Sequence, residues 1–367
     1  MTHRIDSLPI QDGFYMPAEH QPQSEVWMAW PIRPDNWRLG AAPTQRVFAA
    51  VASAISEVTP VVMIVQPSHY EAAREQLPER IKVLSIPYDD SWMRDIGATY
   101  LLSPEGQRRG ISWQFNAWGG EVDGLYPQWE RDSRVAEQML SLTGDDFYIA
   151  PFVLEGGSIH CDGEGTLYTT EECLLHPGRN SELGKSDIEA LLRIYLNIEK
   201  VIWLPAGLYE DETNGHIDNI LHVAGPGEVL LTWCDDPADP QYQISRLAYD
   251  VLTTETDAKG RPIVVHKLPM PGPLYITEEE ARGIKHSSMM DRQPGTRLAA
   301  SYANFLITNG RVIFPLLDER HDQQARAVLQ RVFSGYEIIG IEAREVLLGG
   351  GNIHCITQQV PRGSAAP

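Results

Sequence analysis

Apolar residues recur along this chain at two spacings, one typical of amphipathic helices and one typical of buried strands. The helical spacing predicts helices over residues 44–58, 131–142, 186–196, 240–252 and 319–333. Between them, short runs rich in β-branched and aromatic residues predict strands over residues 61–65, 82–86, 148–154, 201–204, 262–266 and 337–341. Ser186 followed by Glu189 is a capping-box pattern, which predicts the start of the third helix.

The predicted elements follow a repeated order of hairpin, helix and strand. Asn309-Gly310, between two apolar segments, is the clearest of the hairpin turns. The order begins at residues 97, 157, 218 and 302, and a fifth copy is divided between strands at 26–30 and 352–357. Repeats that each bury one face must stack against their neighbours, and this favours a closed ring. We therefore expect one pseudo-symmetric α/β domain over residues 1–360, followed by a flexible C-terminal tail over 361–367.

Composition narrows the class of protein. The chain has 367 residues, of which 43% are hydrophobic and 22% charged, and this balance is typical of a globular protein. The net charge of −20 argues against an electrostatic grip on nucleic acid or anionic lipid. No apolar run approaches the ~18 residues of a membrane helix, and the N-terminus lacks a signal peptide's apolar region. Four cysteines in so long a chain are not a disulfide framework, so we expect a cytoplasmic protein.

Polar clusters that could carry chemistry follow four of the predicted strands. They cover residues 89–95, 155–157, 210–218 and 349–355. In a ring of repeats, equivalent connections converge on one mouth, so these clusters are expected to meet. They offer a thiol, an imidazole and several carboxylates, the last of which suit a planar guanidinium. His216 and Asp218 are two residues apart and would share one face of an extended segment.

Plainer interpretations stay open at this point. Cys355 could be an inert buried thiol, and Cys161 sits in a matching motif, GGSIHC against GGNIHC. His354 would point away from Cys355 on a strand, so we do not expect it to be the base. The His160-Cys161 and His354-Cys355 pairs offer soft ligands, yet neighbours on a strand diverge, and no metal or organic cofactor is expected.

Taken together, four motifs resemble the agmatine deiminase family of the guanidine-modifying (pentein) superfamily. They are WMRD at 92–95, EGG at 155–157, DETNGHIDN at 211–219 and GGNIHC at 350–355. The resemblance extends over nearly the whole chain. It implies a five-bladed α/β propeller of ββαβ units, in agreement with the repeat count.

The resemblance also implies roles for particular residues. Cys355 resembles the nucleophile and His216 the general acid/base. Asp95 and Asp218 resemble the carboxylates that clamp the guanidinium. Glu155 resembles the carboxylate that orients the histidine.

Three further residues resemble parts of the substrate pocket. Glu212 would lie near the amine end of the substrate, and Trp92 and Trp118 would be walls for its alkyl chain, although both could equally be core residues. The implied reaction is hydrolysis of agmatine to N-carbamoylputrescine and ammonia through a covalent amidino-thioether. The expected partner is this small cationic substrate, and a homo-oligomer is expected.

Two other functions compete with this one. The same chemistry could act on free or peptidyl arginine, although free arginine would want a cation for its α-carboxylate and the motifs are acidic. A silent propeller that binds polyamines without turnover is the alternative from another class of protein.

Overall fold

A computed structural model describes residues 2–287, 289–290 and 292–364 of the chain. Its strands are β1 Gln23–Ala29, β2 Val61–Val65, β3 Lys82–Ser85, β4 Thr99–Leu102, β5 Arg108–Gln114, β6 Phe147–Val153, β7 His160–Cys161, β8 Thr166–Thr170, β9 Lys200–Leu204, β10 Leu221–Gly225, β11 Glu228–Trp233, β12 Val264–Pro269, β13 Leu306–Thr308, β14 Arg311–Leu316, β15 Glu337–Glu342 and β16 Gln358–Pro361.

The strands of the described residues form five sheets. Four sheets have three strands, in the orders β4-β5-β6, β7-β8-β9, β10-β11-β12 and β13-β14-β15. In each of these the first two strands are antiparallel and the last two are parallel. The remaining sheet has the order β16-β1-β2-β3, with β1 antiparallel to β16 and parallel to β2. The repeated order of elements is thus present in α/β form, with mixed sheets.

Helices join the parallel strands. The α-helices are α1 Ala42–Ser56, α2 Tyr70–Gln76, α3 Met93–Ile96, α4 Gly120–Asp123, α5 Val135–Thr143, α6 Glu171–Leu174, α7 Pro177–Asn180, α8 Lys185–Leu196, α9 Ile217–Ile220, α10 Gln241–Thr254, α11 Glu278–Arg282, α12 Asp322–Val332 and α13 Arg344–Leu347. Short 3-10 turns cover Arg38–Ala41, Pro67–His69, Asp132–Arg134 and Gly156–Ser158. The five helices expected from apolar spacing are α1, α5, α8, α10 and α12, with ends shifted by a few residues.

The prediction that Ser186 and Glu189 form the capping box of α8 is wrong. The N-cap is Gly184, whose backbone N–H donates to Asp187 Oδ2 at 2.9 Å. Glu189 cannot cap the helix because its Oε1 accepts a hydrogen bond from Trp203 Nε1 on β9 at 2.8 Å. A tertiary contact has therefore replaced the local one.

The strand expected over 352–357 is also wrong, and this changes the geometry of the site. Residues 353–356 form a turn, and the strand that pairs with β1 follows it as β16. Thr357 Oγ1 closes the turn by donating to the carbonyl of Ile353 at 2.9 Å. His354 and Cys355 therefore do not alternate as neighbours on a strand would.

Burial explains why the elements pack as they do. All of β2 is buried, since a parallel central strand is covered on both faces. On α12, Ala325 and Leu329 lie one turn apart on the buried face. No helix in the described ranges is long and apolar enough to cross a membrane. The expected C-terminal tail begins inside β16, at Pro361, and Ser364 still donates its N–H to Gly106; residues 365–367 lie outside the described part of the chain.

Candidate active site

The four polar clusters converge around Gly157. A Cβ atom at this glycine would lie 2.5 Å from His216 Nδ1, 3.0 Å from Asp95 Oδ1 and 3.1 Å from Asp218 Oδ2. The Gly157 N–H itself donates to Asp95 Oδ1 at 2.8 Å. Only a glycine leaves room at the centre of these three groups, which come from two polar clusters far apart in the sequence.

Cys355 lies on the turn after the glycine loop and faces the same centre. Its Sγ is 3.7 Å from Asp218 Oδ2 and 3.1 Å from Asn304 Nδ2. A Cβ atom at Gly351 would meet both the Cys355 sulfur, at 3.1 Å, and the Trp92 ring, at 2.5 Å. The structure thus places Trp92 beside the thiol. Its indole N–H donates to Asp90 Oδ2 at 3.0 Å, which fixes the ring.

The motif around His216 is organised by Asp211. This carboxylate accepts hydrogen bonds from the backbone N–H groups of Thr213, at 3.0 Å, and His216, at 2.9 Å. Helix α9 begins immediately afterwards, so Asp218 lies in its first turn. The expectation of an extended segment is therefore wrong, yet both side chains still reach Gly157.

Glu155 contacts a buried arginine. Arg179 Nε donates to Glu155 Oε1 at 2.8 Å, and both side chains are fully buried. Arg179 also donates to the carbonyl of Thr213 at 2.6 Å, which ties the Glu155 loop to the segment before His216. An isolated carboxylate would be costly there, and Arg179 supplies the opposite charge beside it.

Trp118 contacts the carboxylate of Asp95. Its indole N–H donates to Asp95 Oδ2 at 2.9 Å. Ala117 and Trp118 both have left-handed backbone conformations, with φ of 55° and 65°, so the ring is held by an unusual turn. Trp118 thus fixes one oxygen of Asp95 while Gly157 fixes the other.

Glu212 lies at the outer side of the glycine loop. Arg292 Nη1 and Nη2 each donate to one oxygen of Glu212 at 2.7 Å. Arg292 Nη2 also donates to the carbonyl of Gly349 at 2.9 Å. The structure therefore brings Glu212 to the loop that precedes Cys355, paired with a cation of the protein.

Burial and neighbouring carboxylates raise the pKa values of two groups in the site, the Asp95 carboxyl and the Cys355 thiol. Burial, with help from Asp218 and Glu155, raises the pKa of Asp95 to about 6. Burial and the neighbouring Asp218 and Asp95 carboxylates raise the pKa of the Cys355 thiol well above its ordinary value. These surroundings therefore favour a protonated thiol.

His216 and Asp218 are instead held in their charged forms. Burial opposes the charge on His216, but Asp95, Cys173 and Glu155 raise its pKa well above the ordinary value. Burial likewise opposes the charge on Asp218, but His354, His216 and Arg94 lower its pKa. The site thus holds an imidazolium and a carboxylate around a neutral thiol.

Cys161, in the matching motif, has different surroundings. Its Sγ is 3.4 Å from the carbonyl oxygen of Pro17, and burial raises its pKa to about 12. The two motifs bring their histidines together instead, with the rings of His160 and His354 stacked 5.7 Å apart. Cys161 is therefore a matched internal comparison for Cys355.

Among the residues that the structure describes, two groups of side chains have possible metal-ligand atoms within 4.8 Å of one another. They are Glu19, His160, His222 and His354, and Glu155, Cys173 and His216. In the second group the Arg179 cation already pairs with Glu155, which disfavours a metal ion. In the first, Glu19 Oε2 and His354 Nε2 are 2.7 Å apart, a hydrogen-bond distance. Two ligands of a tetrahedral zinc ion would lie about 3.3 Å apart.

Comparison with known protein families shows to which family this chain belongs. The model of the Porphyromonas-type peptidyl-arginine deiminase family matches residues 15–361. This chain belongs to that family. Within this deiminase family, a protein of Photobacterium profundum named "Putative agmatine deiminase" is 60% identical over 362 residues, 99% of this chain and 100% of the relative.

Solved structures agree with the family assignment. The agmatine deiminase of Enterococcus faecalis superposes with a TM-score of 0.96 at 45% identity, covering 99% of this chain and 100% of that one. A C. jejuni agmatine deiminase with a cysteine-to-serine substitution, solved with substrate bound, gives a TM-score of 0.83 at 26% identity, covering 95% and 97%.

Sequence reasoning missed several residues of this deiminase site. Asn304 touches Cys355, and its Oδ1 accepts the backbone N–H of His354 at 3.0 Å. His354 was expected to point away, but its Nδ1 is 2.8 Å from Asp218 Oδ2, because the turn replaces the expected strand. The repeated His-Cys pair was a signal for His354. Asn304 and Arg179 lie outside the recognised motifs, and no signal in the sequence marked them.

Proposed function

We propose that this chain is an agmatine deiminase, which hydrolyses agmatine to N-carbamoylputrescine and ammonia through a covalent intermediate on Cys355. One observation carries the proposal: two carboxylates and an imidazole surround Gly157, the Cys355 thiol lies 3.7 Å from one of these carboxylates, and buried polar atoms beside them lack partners. Among the described residues these atoms are Asp218 Oδ1, His216 Nε2 and Glu155 Oε2. A buried polar atom without a partner is costly, and a guanidinium with its several N–H donors satisfies carboxylate oxygens.

In the first half of the reaction, Asp95 and Asp218 hold the guanidinium with its carbon facing Cys355. The positive charge of the substrate offsets the two carboxylates that raise the thiol pKa, so the thiol releases its proton to solvent water when the cation enters. The thiolate then attacks the guanidinium carbon. His216, an imidazolium at the start, donates its proton to the departing nitrogen, and ammonia leaves.

In the second half, His216 is neutral and can take a proton from water. The resulting hydroxide attacks the carbon of the amidino-thioether, and the carbon–sulfur bond breaks to release the ureido product. Glu155 has a carboxylate oxygen within 4.8 Å of a His216 ring nitrogen, close enough to orient the ring, and its charge favours the imidazolium, while Arg179 fixes Glu155. Every step uses groups of this chain, with no cofactor.

The outer cavity favours an amine over a carboxylate at the far end of the substrate. A cavity of about 370 Å³ beside the glycine loop is lined by Asp123, Glu210 and Glu212. Its arginines are already paired, Arg292 with Glu212 and Arg297 with Asp239. The α-carboxylate of free arginine would therefore find no cation without a partner acid, whereas the amine of agmatine would meet Asp123 and Glu210, which form no ion pair among the described residues.

The same proposal includes the propeller architecture, the cellular location and the oligomeric state. The five sheets are taken as blades of a pseudo-symmetric propeller, since β16 lies beside β4 and β7 beside β10 in neighbouring sheets. All four cysteines are free in the described structure, which is typical of proteins in a reducing compartment and supports a cytoplasmic location. The expected homo-oligomer is tested by light scattering of the purified chain.

The deciding experiment measures ammonia release from agmatine, with mass spectrometry of the ureido product. Wild type, Cys355→Ser and the matched control Cys161→Ser are compared, with free arginine and an arginyl peptide as other substrates. We expect turnover of agmatine by wild type and Cys161→Ser, and none by Cys355→Ser.

Other outcomes overturn particular parts of the proposal. A preference for arginine or for the peptide would replace the substrate. Agmatine binding without ammonia release would identify a binding protein. Loss of activity in Cys161→Ser alone would assign the nucleophile to the other motif.

A further inference from the structure

A chain of three buried side chains joins the N-terminal loop to the substrate clamp. His354 Nδ1 is 2.8 Å from Asp218 Oδ2, and His354 Nε2 is 2.7 Å from Glu19 Oε2. None of the three side chains is more than 4% exposed. We propose that His354 is a positioning residue, which donates a proton from each ring nitrogen and thereby holds Asp218 for the guanidinium.

Neighbouring histidines lower the pKa of both Glu19 and Asp218 despite burial, and with both carboxylates ionised the two contacts require both ring nitrogens to be protonated. A neutral imidazole has one N–H, so its second nitrogen would present a lone pair to a carboxylate. With both protons present, the ring occupies Asp218 Oδ2 and leaves Asp218 Oδ1, which has no partner among the described residues, for the substrate. This inference rests on the proposed function only for what Asp218 binds.

The residues around His354 stabilise the positive charge on its ring, whereas the two neighbouring histidine rings are favoured in their neutral forms. Burial and the Arg94 cation work against the imidazolium, but Glu19 and Asp218 raise the pKa of His354. The neighbouring His160 and His222 face the same core, and burial lowers the pKa of each. His222 Nδ1 is occupied by the carbonyl of Ala303 at 3.0 Å.

Glu19 is itself held in place, so the chain has a fixed outer end. Its Oε1 accepts the backbone N–H of Ile307 at 2.8 Å, on the strand β13. Arg94 Nη2 lies 3.8 Å from Glu19 Oε2, a second cation beside this carboxylate. The order of charges is thus Glu19, His354, Asp218, with alternating sign from the loop to the clamp.

The first test reads the protonation of the ring without any turnover. Nitrogen NMR of histidine-labelled protein, assigned by comparison with His354→Gln, should show two protonated nitrogens on His354 near neutral pH. In Glu19→Gln the ring keeps one acid partner, and we expect one nitrogen to lose its proton. A neutral His354 ring in wild type would overturn the proposal, and so would stoichiometric zinc found by elemental analysis.

The second test measures positioning of the clamp. In a Cys355→Ser background, calorimetry should give His354→Gln an agmatine affinity lower by about tenfold to a hundredfold, the cost of losing a hydrogen bond to a charged group. In the active enzyme the same substitution should raise KM more than it lowers kcat. His160→Gln, which changes a buried neighbouring ring with no hydrogen bond to Asp218, should alter both values less than His354→Gln does.

The outcomes separate this inference from the proposed function. A folded His354→Gln protein, checked by its melting temperature, with unchanged agmatine affinity and KM would overturn the positioning role. Failure of wild type to release ammonia from agmatine would overturn the proposed function instead, while the NMR result would still decide the protonation of His354.

Discussion

At the scale of single residues, the site depends on how each carboxylate is paired. Asp218 has His354 on one oxygen, and Asp95 has Gly157 on one oxygen and Trp118 on the other. The contact with His354 lowers the pKa of Asp218 despite its burial, whereas burial raises the pKa of Asp95 to about 6. The two members of the clamp therefore titrate differently.

This difference predicts an acid limb in the activity. As pH falls through about 6, Asp95 gains a proton and no longer attracts the guanidinium, so kcat/KM for agmatine should fall. The sign follows because the substrate pairs with the ionised carboxylate. The measurement is kcat/KM against pH for wild type, with agmatine affinity against pH for Cys355→Ser and for Cys355→Ser/Asp95→Asn. An acid limb that persists unchanged in the double variant would assign it to another group.

The thiol gives a second prediction at this scale. Because burial, Asp218 and Asp95 raise the pKa of Cys355, alkylation of the empty enzyme by iodoacetamide should be slow at neutral pH and accelerate in alkaline solution. Asp95→Asn removes one opposing charge, so the curve should move to lower pH. Cys355→Ser measures the background from the other three cysteines, which are buried. A wild-type rate that levels off near neutral pH would contradict the raised pKa.

At the scale of elements, short turns place the reactive groups more than long helices do. Apolar spacing predicted α1, α5, α8, α10 and α12, since each buries one face. It could not predict the turn at 353–356, because that turn is closed by the side chain of Thr357 and not by a periodic pattern. Because this turn was not predicted, the side chain of His354 was wrongly expected to point away from the site.

The glycine at the centre of the site gives the prediction for this scale. Gly157→Ala would place a methyl group 2.5 Å from His216 Nδ1, so the imidazole or the carboxylates must shift. We expect kcat/KM to fall by about a hundredfold or more, because small misplacements of reacting groups are costly. The matched control is Gly335→Ala, where the added carbon would meet nothing within 4 Å. Equal activity of the two variants would show that the centre is not crowded.

At the scale of the whole molecule, the repeat order was readable from the sequence, but the contacts between repeats were not. Matching motifs placed equivalent loops together, so the meeting of Asp95, His216 and Cys355 was predictable. Arg179 and Asn304 were not, because their partners are fixed by how sheets pack and not by any local pattern. The sequence thus predicted which clusters meet, and missed the residues that hold them.

Pairing of β1 with β16 provides a prediction at this scale. A chain ended after residue 357 lacks β16, so it loses the antiparallel partner of β1 and the buried Val360. We expect a lower melting temperature, by several degrees, and loss of deiminase activity. The control ends after Ser364 and keeps the strand. Thermal unfolding of the two proteins is the measurement, and equal melting temperatures would show that β16 adds no stability.

The same pairing sets the order in which the protein can mature during synthesis. Strand β1 leaves the ribosome early, whereas its partner β16 and the neighbouring Cys355 are made only after four other sheets have been translated. Until then β1 has one edge with unpaired backbone groups, which is the kind of edge that other chains can join. Until residues 355–361 have been made, the growing chain therefore lacks the proposed nucleophile and carries an unpaired edge on β1.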